Sequence, residues 1–81
     1  MVTSKTPHLD LHGEEVAMVY ALVNEFVNDN YKMGKKEIIV IHGKSTNILT
    51  KEVHNILKEN KLVKKYYLNR WNIGETIIEL I

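Results

Sequence analysis

Two short stretches hold the residue types that could do chemistry. In Leu-Asp-Leu-His-Gly at 9–13, Asp10 and His12 alternate with Leu9 and Leu11, so both polar side chains fall on the non-core side of a short strand. In Ile-His-Gly-Lys at 41–44, His42 closes an apolar run and Lys44 follows the glycine. Hydrolysis of a phosphodiester requires a base for the attacking oxygen, a cation or donor for the developing negative charge, and an acid for the leaving oxygen. A carboxylate, two imidazoles and an ammonium are the right types, since histidine titrates where acid and base work is done at neutral pH. Asp10, His12 and His42 are therefore the catalytic candidates. Gly43, Lys44, Ser45, Asn47 and Lys51 are candidates for binding a phosphate backbone.

The run His-Gly-Lys-Ser at 42–45 invites a nucleoside-triphosphate reading, which fails on one residue. The phosphate-loop pattern needs a glycine five positions before the second one, and here that position is Ile38. The alternative is a loop that enters a helix, whose free N–H groups attract an anion, with Lys44 adding charge. Each candidate also has a plain structural reading. Asp10 could brace the turn at Gly13, and either histidine could bond the backbone. His8, Asp10 and His12 alternate as metal ligands do, but three ligands on one strand converge poorly. A loosely held Mg²⁺ at Asp10 is compatible with the sequence.

These residues need elements to position them. Leu9 and Leu11 predict a short strand that ends at Gly13. Val16, Val19, Tyr20, Val23, Phe26 and Val27 have helical spacing with an apolar stripe, and Gly34 is a natural C-terminal stop. Glu-Ile-Ile-Val-Ile-His is a continuous apolar run, suited to a central strand. Leu49, Val53, Ile56 and Leu57 predict a second helix, with Ser45, Thr46 or Asn47 available as its cap. His54 falls off that stripe and is expected at the surface. Residues 63–71 read as a strand, with Tyr66 or Trp71 as a core or base-stacking aromatic. Asn72-Ile73-Gly74 reads as a turn, and 75–81 as a last strand. The order is β-α-β-α-β-β: an α/β two-layer sandwich of a mixed four-stranded sheet and two helices. If both helices lie on one side, the other sheet face stays partly open.

Composition sets the outer bounds. Eighty-one residues make one domain with a modest core. There is no cysteine, which excludes a disulfide or thiolate metal site and fits a reducing cytosol. No apolar run approaches the roughly 20 residues of a membrane span. The N-terminal residues 1–8 lack an apolar secretion segment and are expected to be a flexible lead-in to a domain over 9–81. A net charge of +1 hides an asymmetry. Residues 31–70 carry nine lysines and Arg70 against Glu37, Glu52 and Glu59, whereas residues 1–30 are acidic. A basic sector of this kind suits a polyanionic partner.

Leu-Asp-Leu-His-Gly at 9–13, Ile-His-Gly-Lys at 41–44, Leu49, and Gly-Glu-Thr-Ile-Ile-Glu-Leu at 74–80 stand together in the order and spacing of the Smr (small MutS-related) domain. The chain resembles the standalone form of that family over residues 9–81. The resemblance implies a fold similar to the C-terminal domain of translation initiation factor three. It also implies DNA or RNA as partner, and endonuclease activity, such as nicking, through Asp10, His12 and His42. The chain departs from the family pattern where Ser45 and Asn47 replace glycines and where Thr50 replaces an arginine. Those departures favour the alternative of a non-catalytic nucleic-acid or ribosome-binding module.

Overall fold

The computed structural model describes residues 2–44 and 47–81. Its elements are β1 (His8–Asp10), α1 (Val16–Lys32), β2 (Glu37–Ile41), α2 (Ile48–Glu59), β3 (Val63–Asn69) and β4 (Asn72–Leu80). This is the expected α/β order, folded into a mixed four-stranded sheet with two helices. Ahead of β1 a turn closes between Thr3 and Thr6, and the Pro7 carbonyl accepts from Ile39 N–H.

The sheet order is β1-β2-β4-β3. β1 and β2 are parallel, with Asp10 opposite Ile41, as the intervening helix requires. β3 has the same direction as β2 but does not pair with it. β4 returns antiparallel to both and fills the place between them. The central position thus goes to the last strand, whose inner-face residues Thr76, Ile78 and Leu80 are all buried.

Both helices cover one face of the sheet. Val19, Val23 and Val27 of α1 and Val53, Ile56 and Leu57 of α2 meet Ile38, Val40, Ile78 and Leu80 in a single cluster. The i, i+4 stripe of α1 is narrower than the sequence reading. Tyr20 is 67% exposed and Val16 is also outside the core, because one residue is a rotation of about 100° on a helix and carries Tyr20 off the line of Val19, Val23 and Val27.

The opposite face is uncovered by helices. A row of side chains crosses it in register: His8, Ile39, Ile77 and Tyr67. The continuous apolar run of β2 therefore serves two different surroundings. Ile38 and Val40 enter the core, whereas Ile39 packs among cross-strand neighbours on the open face.

The turn between β3 and β4 is Arg70-Trp71, not Asn72-Ile73-Gly74. Asn69 pairs with Asn72, and the Asn69 side chain accepts from Trp71 N–H at 3.0 Å, so the reversal is made two residues earlier by an asparagine-capped turn. No helix among the described residues is long and apolar enough to cross a membrane.

Candidate functional site

The parallel pair β1–β2 sends its two C-terminal ends to one edge of the sheet. Leu11 N–H donates to the Ile41 carbonyl at 2.8 Å, so His12 and His42 come next on neighbouring chains. β4 starts at that edge too, because Glu75 pairs with Ile41. The edge therefore gathers Asp10, His12, His42, Gly43, Lys44, the start of α2 and the β3–β4 turn. This is the rim where ligands of open α/β sheets are bound.

The edge does not bring the three catalytic candidates into one cluster of side chains. Asp10 lies opposite Ile41 on the open face of the sheet, and Asp10 and His12 are both exposed. The Asp10 carboxylate accepts from His12 N–H at 2.8 Å through Oδ1. This bond braces the turn. His42, two residues beyond the inward Val40, enters the helix-covered side and is only 5% exposed.

His42 is held on both ring nitrogens. Nδ1 is 3.1 Å from the Gly43 carbonyl and 2.8 Å from Thr50 Oγ1, and Nε2 is 2.8 Å from Thr76 Oγ1. A carbonyl only accepts, which places the proton on Nδ1. Nε2 then accepts from the Thr76 hydroxyl. The same Thr76 oxygen is 2.8 Å from His54 Nε2, which donates to it. Thr76 is completely buried, and these two bonds use its one proton and one lone pair. Both ring nitrogens of His42 thus have partners within the fold.

The loop itself is clamped to β4. His42 N–H and Gly43 N–H both donate to the Gly74 carbonyl at 2.9 Å. Gly43 has φ +87°, a left-handed conformation that favours glycine. Space at Gly74 is tight: a Cβ there would lie 3.1 Å from Lys44 Cγ and 3.2 Å from Asn72 Oδ1. Lys44 is exposed beyond this clamp.

Asn47 is the N-cap residue of α2, with φ −91° and no side-chain capping bond. Its backbone does not demand a glycine, so the change from the family pattern at this position carries no conformational cost. Neither is there an acidic side chain in the first turn of α2. The positive end of the helix dipole is left available to an anion, with Lys51 exposed one turn in. Ser45, and the possible cap Thr46, lie outside the described residues. Among the described residues no group of three or more His, Asp or Glu side chains is arranged to hold a metal ion.

His54 is the residue the sequence reading missed. It is half-buried, hydrogen-bonded to Thr76, and in ring contact with His42 at 6.1 Å and Tyr66 at 5.0 Å. The signal was Thr50 and His54 at i, i+4 spacing beside the apolar stripe, together with a hydroxyl at Thr76 among the inward positions of β4. A buried hydroxyl requires a partner.

Burial, and then the neighbouring His42, push the His54 pKa below its ordinary 6.5. A base whose folded pKa is lowered takes up a proton more readily when unfolded. Its contribution to stability is complete above pH 6.5 and is lost as pH falls through the folded value. The melting temperature should therefore drop more steeply below about pH 6.5 for the wild type than for His54→Gln, whose amide can still donate to Thr76. Equal slopes in melting curves taken across that window would refute the assignment.

The comparisons with known proteins fall on this same framework. The Smr domain family model matches residues 9–80. Endonuclease MutS2 of Clostridium kluyveri is 35% identical over 75 residues, covering 89% of this chain and 10% of that protein. Endonuclease MutS2 of Halothermothrix orenii is 35% identical over 69 residues, covering 85% and 9%. The chain thus spans about a tenth of the length of these curated relatives. Among solved structures, the Smr domain of Thermus thermophilus MutS2 superposes with a TM-score of 0.89 at 23% identity, over 94% of this chain and 99% of that one. YdaL, a stand-alone small MutS-related protein from Escherichia coli, gives 0.87 at 24% identity, over 95% and 68%. At these identities the two structures speak for the fold.

Proposed function

The chain belongs to the Smr domain family, and on that premise we propose that it binds DNA or RNA at the β1–β2 edge and cleaves it endonucleolytically. The observation that carries the reading is the meeting of two exposed groups able to move protons, Asp10 and His12, with an anion-attracting loop and helix end on a single rim. The relatives named as endonucleases share this domain as a small part of a much longer chain, so their activity enters here as support for a proposal about this one.

The roles follow from exposure. Lys44, Lys51 and the N-terminal N–H groups of α2 hold the phosphate backbone. His12 exchanges a proton with the attacking or leaving oxygen, and the Asp10 carboxylate, oriented by the His12 N–H, stands beside it as a second charged group. His42 is a positioning residue that shapes the Gly43–Lys44 loop through Thr50 and Thr76. The test is incubation of the purified protein with supercoiled DNA and with structured RNA, with and without Mg²⁺. Nicked circles or discrete RNA fragments are expected. Intact substrates under every condition would sink the catalytic half of the proposal.

A second reading, a binding module without turnover, is favoured by the engagement of both His42 nitrogens. It makes the same prediction about salt. Lysine–phosphate contacts release counterions, so affinity should fall linearly with salt on logarithmic axes. Lys44→Ala should weaken binding and reduce that slope by roughly one unit. An affinity indifferent to salt in an electrophoretic or anisotropy titration would remove the electrostatic argument from both readings.

A further inference from the structure

The β3–β4 turn leaves a large aromatic side chain in water. Trp71 is 88% exposed, at the tip of a hairpin whose other turn residue is Arg70. Behind the tip lies a concavity of about 450 Å³ lined by Tyr67, Leu68, Asn69, Arg70, Trp71 and Ile77, within the roughly 300–1,000 Å³ range of sites for small ligands. Its walls are aromatic and aliphatic, and Arg70 is the charged residue in its lining. Arg70 makes no ion pair among the described residues, and Lys65 Nζ stands 5.7 Å from the Tyr67 ring centre. Glu79 pairs with Lys65 at 3.4 Å, and the Glu75 carboxylate accepts from the Asn69 amide at 2.8 Å.

This concavity is joined to the proposed phosphate site. The Gly74 carbonyl accepts from Gly43 N–H, next to Lys44, and Gly74 stands three positions after Trp71. A chain covers at most about 3.6 Å per residue, so Trp71 is within about 11 Å of Gly74. One strand of nucleic acid can reach both.

Trp71, Tyr67 and Leu68 are all exposed and line one concavity, and apolar surface gathered in this way marks a binding site. An aromatic surface flanked by cations fits a flat, π-faced group attached to a phosphate. We propose that Trp71, Tyr67 and Arg70 form a stacking site for an unpaired nucleobase, so that the domain selects strands with unstacked nucleotides over continuous duplex. The proposal deepens the nucleic-acid reading above and rests on it. A base within a duplex has both faces covered by its neighbours and cannot enter, whereas a single strand, loop or mismatch offers a free face.

Trp71 is the sole tryptophan of the chain, so intrinsic fluorescence reports this one side chain. Titration with a short oligo(dT) should quench its emission, and titration with the matching oligo(dA)·oligo(dT) duplex should leave it nearly unchanged. Measured separately by anisotropy of a labelled oligonucleotide, Trp71→Ala should weaken single-strand binding by about 5- to 150-fold, Trp71→Phe should restore most of it, and duplex affinity should hold. Trp71 lies outside the core, so circular dichroism of Trp71→Ala should match the wild type. Binding of oligo(dT) with unquenched emission, or with undiminished affinity in Trp71→Ala, would overturn the stacking site while leaving the phosphate site standing. Emission that changes with protein concentration alone, accompanied by dimers in sedimentation, would assign the surface to a second copy of the chain and overturn it as well. Failure of either nucleic acid to bind at low salt would remove the electrostatic reading and this one together.

Discussion

Asp10→Asn and His12→Ala should each lower cleavage by about 10²–10⁴-fold, the usual effect of removing a positioned proton-transfer group. Binding should change little, because affinity is spread over lysines and helix N–H groups. The asparagine is chosen because Asp10 has a structural duty as well: its Oδ1 accepts from His12 N–H at 2.8 Å. An amide oxygen keeps that bond and removes only the charge. His42→Ala should have a different signature. It removes a partner from the half-buried Thr50 and the acceptor of the buried Thr76 hydroxyl, and an unsatisfied buried polar group costs about 1–3 kcal/mol. In a domain of this size that lowers the melting temperature by roughly 4–8 °C per kcal/mol. Cleavage and single-turnover assays set beside melting curves separate the cases. If His42→Ala abolished cleavage with its melting temperature unchanged, and His12→Ala cleaved normally, the chemistry would belong to His42 and the division of roles made here would be wrong.

Ile78→Ala should cost about 2–5 kcal/mol, a large share of the about 4–12 kcal/mol that a chain of this length typically has. Ile78 is fully buried on β4, the strand between β2 and β3, and stands in register with Ile38 on one side and Tyr66 on the other. Truncation leaves a cavity under both helices that the two flanking strands cannot close without losing register. Ile73→Ala on the same strand is the control: Ile73 is 57% exposed, and such surface changes stay within about 0.5 kcal/mol. Urea denaturation should show an early midpoint for Ile78→Ala and a near-native one for Ile73→Ala. Equal midpoints would mean that β4 is not the centre of the core.

The sequence by itself determined the kinds and order of the elements, because side-chain periodicity is local. Alternation around Leu9 and Leu11, the i, i+4 valines of α1 and the stripe of α2 each record which side of a segment meets the core. The helix between β1 and β2 also made those strands parallel, which placed Asp10, His12 and His42 at one rim. What periodicity leaves open is which neighbour each face meets. Nothing local distinguishes β4 paired only with β3 from β4 inserted between β2 and β3. That choice was decided by burial, since Thr76, Ile78 and Leu80 are covered only in the central place. The same choice settled the histidines. His42 faces inward and meets Thr76 at a separation of 34 residues, and His54 meets it at 22. An imidazole in a sequence can be a catalyst or a brace, and those distant bonds are the ground for proposing His42 as a brace. Trp71 went the other way: the Asn69 turn put in water an aromatic whose place the sequence had left open.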